Sequence, residues 1–280
     1  QTGELNTPNY DGKAAGGVNT AFCIYNNDLY TFIGQKVYRF NYAKNEFVFC
    51  LTLPDSDGNI RFARAYMGKL WIFVNNSGLY KIDMSTFKIE DHYTLLTDYE
   101  GNSLRTFYID KKGYIWFGTI DGIYIFDPTD GKLSHYKHSR TDPFSLPNNS
   151  IWEISEDRQS NVWIGTYSGT LCYVNIDENN AFKTYHPQNS GLNHTPVSAF
   201  AEDQQYLWVG TEGGGINRMN KATGEFSYIT SANSITSNNI KSLITDAGHN
   251  LWISTFMGGL DLYNVCLLYT SPSPRDYAAS

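Results

Sequence analysis

Leu207-Trp208-Val209-Gly210-Thr211-Glu212-Gly213-Gly214-Gly215 is a stretch the chain repeats, and its recurrence decides the fold. Leu251-Trp252-Ile253-Ser254-Thr255-Phe256-Met257-Gly258-Gly259 restates it, as do Val162-Trp163-Ile164-Gly165-Thr166-Tyr167-Ser168-Gly169 and Ile115-Trp116-Phe117-Gly118-Thr119-Ile120-Asp121-Gly122. Weaker copies lie at Leu70-Trp71-Ile72-Phe73-Val74 and at Leu29-Tyr30-Thr31-Phe32-Ile33-Gly34, where Tyr30 replaces the tryptophan. From Tyr30 to Trp252 the aromatic recurs at steps of 41, 45, 47, 45 and 44 residues. A fixed period in this range marks a solenoid, a propeller or an array of small units.

Working outward from the fifth copy, Val197 to Asp203 reads as a first strand and Tyr206 to Thr211 as a second. Glu212 to Gly214 is a glycine turn, Gly215 to Asn220 a third strand, and Glu225 to Ile229 a fourth after the turn at Lys221-Ala222-Thr223-Gly224. No sustained 3.6-residue apolar period appears, so helix is not expected. An aromatic content of 15%, with 21 Tyr, suits pleated and half-buried surfaces. The expected fold is all-β: a β-propeller of four-stranded antiparallel blades, about six present, belonging to a seven-bladed ring. The repeats fill residues 18–264 of the 280. Residues 1–17 read as a ragged N-terminal segment. Residues 265–280 abandon the repeat and read as a non-native tail, set aside from the fold. Gln1 in place of Met fits either a mature N-terminus or a piece of a longer protein.

A net charge of −7 argues against a nucleic-acid partner, which requires a basic stripe. No run of eighteen apolar residues is present, so no span of that kind is expected. Cys23, Cys50, Cys172 and Cys266 show neither a C-x-x-C pair nor recurrence, and read as scattered core thiols. His135-x-x-His138 is half a metal-ligand pattern without a third ligand, so no metal and no cofactor are expected.

Asn161-Val162-Trp163-Ile164-Gly165-Thr166 and Asn250-Leu251-Trp252-Ile253-Ser254-Thr255 resemble the two-component regulator propeller repeat. The openings Ser145-Leu146-Pro147-Asn148-Asn149-Ser150-Ile151 and Ser237-Asn238-Asn239-Ile240, followed by Asp157 and Asp246, fit the same pattern. That resemblance implies the periplasmic sensor region of a hybrid two-component system from Bacteroidetes. Its complete protein would carry further blades, a β-sandwich, a membrane span and a histidine kinase, and would act as a homodimer. It implies a non-enzymatic segment whose ligand is an oligosaccharide released from a polysaccharide.

Topology places a site before chemistry does. Turns between second and third strands share one face with the linkers between blades. On it lie Asp121, Tyr167, Glu212 and Phe256, with His138, Arg140, Asp142, Phe144 and His194 from the linkers. A scaffold that presents varied loop residues on one face is a usual place for ligands. A second register, one residue into each first strand, holds Arg61, Arg105, Trp152, Ser198 and Lys241. Three cations and an indole there would suit an anionic sugar, since arginine pairs carboxylate or sulfate bidentately. Asp110, Asp157, Asp203 and Asp246 precede their tryptophans by five or six residues and suit turns better than catalysis. Two other functions remain open. A propeller hydrolase or lyase would need a facing acid pair, for which Asp121 and Glu212 are the candidates. A cell-envelope scaffold would bind protein instead.

Overall fold

The computed structural model describes residues 9–10, 13–14, 22–54, 60–96, 104–142, 144–167, 171–175, 179–265 and 269–271. The described residues form only strands, turns and bends, and the sheets are the expected blades: the fold class is that of a β-propeller. Two compact units divide the chain, residues 1–103 and 104–280.

The first unit opens with two short strands, β1 (Asn9–Tyr10) and β2 (Lys13–Ala14). Its first blade is β3 (Phe22–Tyr25), β4 (Asp28–Ile33), β5 (Lys36–Asn41) and β6 (Glu46–Thr52), with β1 added parallel to β6 at the outer edge. The second blade is β7 (Ile60–Tyr66), β8 (Lys69–Val74), β9 (Gly78–Asp83) and β10 (Ile89–Tyr93). Their shared core includes Tyr30, Phe32, Ile60, Leu70 and Ile72.

The second unit holds four blades. Blade three is β11 (Leu104–Ile109), β12 (Ile115–Thr119), β13 (Gly122–Asp127) and β14 (Lys132–Tyr136). Blade four is β15 (Ile151–Glu156), β16 (Val162–Thr166), β17 (Leu171–Asn175) and β18 (Asn179–Tyr185). Blade five is β19 (Val197–Glu202), β20 (Tyr206–Thr211), β21 (Gly215–Asn220) and β22 (Phe226–Ile229). Blade six is β23 (Ile240–Thr245), β24 (Asn250–Thr255), β25 (Gly259–Asn264) and β26 (Tyr269–Ser271). The strand that completes blade six thus falls within the segment the sequence reading sets aside.

Cores form between blades rather than within them, because a twisted sheet has an apolar face on each side to cover. Trp116 and Ile123 of blade three pack with Ile151, Ile154 and Val162 of blade four. Trp163 and Leu171 pack with Val197, Leu207 and Val209 of the next blade, and Trp208 and Ile216 with Ile240, Leu243 and Leu251 of the last. Cys23 and Cys172 are buried free thiols and Cys50 is half-buried and free; Cys266 lies outside the described residues.

Candidate functional site

The repeated motif divides its labour residue by residue. In four blades the motif indole donates to an aspartate at the entrance of the same hairpin: Trp116 to Asp110 at 2.8 Å, Trp163 to Asp157 at 2.7 Å, Trp208 to Asp203 at 2.8 Å and Trp252 to Asp246 at 2.9 Å. The second carboxylate oxygen accepts two backbone N–H groups of the turn, as Asp157 does from Gln159 and Asn161. These aspartates are turn formers, as expected of a side chain that bonds its own backbone. Next in the motif, Gly118, Gly165 and Gly210 admit the following blade: a Cβ on Gly165 would lie 2.8 Å from Val197 Cγ1 and 2.9 Å from its carbonyl oxygen. The threonine then closes the turn, Thr119 Oγ1 donating to the Gly122 carbonyl and Thr211 Oγ1 to that of Gly215.

With the motif assigned to scaffold, the first-strand register stands out. In five blades the pairing of the first two strands slips at one place: between Ile60 and Phe62, Leu104 and Thr106, Ile151 and Glu153, Val197 and Ala199, and Ile240 and Ser242. The residue passed over is Arg61, Arg105, Trp152, Ser198 or Lys241. A bulge leaves its extra residue unpaired and re-aims the side chain, which gives this register a physical cause.

The bulge residues meet turn residues in two clusters. In the first, the Arg105 guanidinium lies 4.8 Å from the Trp152 ring and 5.7 Å from that of Tyr167. Those two rings are themselves stacked at 5.3 Å. Arg105 Nη1 is buried and, among the described residues, has no hydrogen-bond partner. In the second cluster Lys241 pairs with Glu212 of the preceding blade and lies 5.5 Å from the Phe256 ring. Lys241 is therefore neutralised within the fold, whereas Arg105 has no ion-pair partner among the described residues. Ser198 is buried and donates to the carbonyl oxygen of Ile240 at 2.7 Å, tying blade five to blade six. Arg61 occupies the same bulge in the first unit, half-buried.

The remaining candidates separate. Tyr167, Glu212 and Phe256 each follow the motif threonine directly, a position Ile120 fills in blade three; Asp121 stands one residue further on. Asp121 pairs with Lys137 at 2.7 Å and Glu212 with Lys241, so each of the two carboxylates has its own cation. His135 contacts the Asp121 carbonyl through Nε2 and His138 the Leu146 carbonyl through Nδ1; each ring serves a local backbone group. Asp142 caps its own loop through the Phe144 N–H. His194 lies against Gly213 and Gly214, where added Cβ atoms would approach it to 2.7 and 2.3 Å.

Sequence reasoning missed the hollows at the other end of the blades, lined by the aspartate turns. One of about 310 Å³ lies beside Trp116, Ile125 and Tyr136. Another of about 460 Å³ lies between blades four and five, beside Trp163, Tyr173 and Tyr185. The signal was Tyr173: the residue paired with each motif tryptophan is Lys81, Ile125, Tyr173, Arg218 or Leu262, aromatic in one blade alone.

A family model described as two component regulator propeller matches residues 98–121 and 145–168. A histidine kinase P4 of Formosa agariphila is 28% identical over 252 residues, covering 83% of this chain and 18% of that protein. This chain therefore spans under a fifth of the curated relative it matches. Among solved structures, PorZ of Porphyromonas gingivalis, a surface component of the type-IX secretion system, superposes with a TM-score of 0.69 at 15% identity. That match covers 92% of this chain and 40% of PorZ, and it is a likeness of fold. The extracellular domain of a proposed hybrid two-component system from B. thetaiotaomicron gives 21% identity and a TM-score of 0.41 over 89% of this chain and 38% of that one.

Proposed function

We propose that this chain, which carries two-component regulator propeller repeats, is a non-catalytic, extracytoplasmic sensor segment that passes ligand binding to a histidine kinase. The family match and the histidine kinase relative support that assignment. The ligand is an oligosaccharide bearing a carboxylate or sulfate, and further blades, a membrane-anchored kinase and a second copy of the chain complete the assembly.

One observation carries the choice of ligand: the buried, unpartnered Nη1 of Arg105 between Trp152 and Tyr167. A buried donor without an acceptor costs about 1–3 kcal/mol, and an arriving oxyanion recovers it. The guanidinium offers two parallel N–H groups to such an anion, a geometry lysine lacks. Tyr167 is half exposed and lies 5.7 Å from the guanidinium, so the cluster has one ring at the surface for a sugar to meet. A ligand signals only through unequal affinity for two arrangements of the chain.

Calorimetric titration with neutral, uronic and sulfated oligosaccharides tests the reading. Saturable binding of charged sugars, without product and weakened at least tenfold in Arg105→Lys, is expected. A preference for neutral sugars unchanged in Arg105→Ala would overturn the ligand assignment. Product formation would indicate a hydrolase or lyase, and silence across the panel a protein-binding scaffold.

A further inference from the structure

The geometry points to a second binding site, for a neutral saccharide, in the hollow between blades four and five at the aspartate-turn end. Its floor is a triangular cluster of three rings on one sheet, Trp163 buried and Tyr173 and Tyr185 half-buried above it. Trp163 and Tyr173 are cross-strand partners with centroids 4.7 Å apart, and Tyr185 lies 5.9 Å from Trp163 and 6.2 Å from Tyr173. The planes differ by 28° to 37°, so the rings pack on one another. Trp163 recurs in every blade of this unit, and Tyr185 shares its register with Tyr136 of blade three. Tyr173 is particular to blade four. Blade three, with Ile125 in its place, has the smaller hollow.

The walls are amides. Gln159 comes from the turn of blade four and Gln204 and Gln205 from that of blade five. All three are exposed, and among the described residues none of their side-chain amides has a protein partner. The charged groups at the site are engaged within the fold, Lys183 lying over the Tyr173 ring at 5.2 Å. Asp157 is occupied by Trp163, Gln159 and Asn161, and Lys221 is held by Glu202 at 3.1 Å and by the Asp203 carbonyl at 2.7 Å. Flat rings beneath and amides at the rim match a pyranose, whose C–H face is apolar and whose edge hydroxyls both donate and accept. The volume of about 460 Å³ falls within the range of roughly 300–1,000 Å³ usual for small-ligand sites. The cations here, Lys183 and Lys221, are each engaged within the fold, which separates this site from Arg105, and the inference does not rest on that assignment.

The test uses the whole chain, with maltotetraose, cellotetraose and mannotetraose as probes and titration calorimetry as readout. At least one is expected to bind saturably, to weaken tenfold or more in Tyr173→Ile, and to bind unchanged in Arg105→Ala. Tyr173→Ile imports the residue of blade three, so its melting temperature is expected to stay within about 3 °C of the parent; Gln205→Ala is a second variant that leaves the rings intact and is expected to weaken binding several-fold. Absence of saturable binding by all three probes, or binding indifferent to both substitutions, overturns the proposal. Binding of a proline-rich decapeptide that depends on Tyr173, with no sugar binding, overturns it in favour of a peptide groove.

Discussion

Trp163 donates its indole N–H to Asp157 at 2.7 Å across the entrance of one hairpin, and three other blades repeat the bond. Asp157 is 3% exposed, so removing it strands the indole and two turn N–H groups together. Asp157→Ala is expected to lower stability by about 3 kcal/mol, since hydrogen bonds to a buried charge are worth roughly 1.5–3 kcal/mol each and lose some value to water on removal. Urea denaturation measures it.

In the second blade the same indole has no such partner. Trp71 Nε1 is buried and unbonded, and Tyr66 stands five residues earlier where blade five has Asp203. Trp71→Phe and Trp163→Phe remove comparable ring volume, but only the second breaks a hydrogen bond and leaves a carboxylate short of a donor. Trp163→Phe is expected to be the more destabilising by about 1–3 kcal/mol. Equal losses in urea midpoint would contradict a bonding role for the motif tryptophan.

Gly165 is held by its neighbour blade. Since a Cβ there meets the Val197 backbone carbonyl at 2.9 Å, relief requires the blades to part. Gly165→Ala is expected to cost about 1–3 kcal/mol, the range for overpacking a filled core. Gly224 has φ +74° and open space around it, so Gly224→Ala carries only the left-handed backbone penalty, about 1–2 kcal/mol. Thermal melts of the pair, with the loss at Gly165 spread through the whole transition, check the contrast.

The fold was legible because its instructions are local: a tryptophan, a glycine and a threonine recur in register, and each has a task within a few residues or against the adjoining strand. The site was legible only as a register. Arg105, Trp152 and Lys241 were aligned by their place in the strand, and the bulge explains that alignment. What distinguishes Arg105 from Lys241 lies across blades. Glu212, 29 residues before Lys241, neutralises it, while among the described residues Arg105 meets two rings and no carboxylate. Spacing within a repeat says nothing of which side chain the next repeat brings. The hollow beside Tyr173 escaped for a related reason: a tryptophan that serves as scaffold in every blade hides the one blade where its neighbour is also aromatic.

Asp110 and Asp246 both accept from two turn N–H groups and an indole, Asp246 from the Asn250 side-chain amide besides, and their pKa values shift in opposite directions. Burial pushes the Asp110 carboxyl up, despite its bonds to Trp116, Tyr114 and Lys112. Asp246 is half exposed, and bonds from Asn250 and then Trp252 hold it down at about 2. For Asp246 the unfolded chain binds the proton more readily, so its contribution is present above about 3.8 and is lost as pH falls toward 2. For Asp110 the native state binds the proton more readily, so stability declines as pH rises from 3.8 through the raised value. Carboxyl carbon shifts followed by NMR are expected to show Asp110 titrating above Asp246. Asp246→Asn should flatten the acid limb of the stability curve, and Asp110→Asn should not.

Binding and stability should part company at Arg105. If the guanidinium were there for the fold, its loss would lower the melting temperature by several degrees. Its burial instead leaves Nη1 without an acceptor, at about 1–3 kcal/mol against the free chain. Its two ring contacts return about 0.5–2 kcal/mol each. Those terms nearly cancel, so Arg105→Met is expected to shift stability by no more than about 1 kcal/mol while abolishing binding of the charged sugar. Lys241→Met is the control. Its ammonium is already taken by Glu212, so affinity for the charged sugar is expected to stay within about twofold. Parallel calorimetry and melting of the two variants decide it: a stable Arg105→Met that still binds, or a Lys241→Met that does not, would move the anion site away from the Trp152–Tyr167 stack.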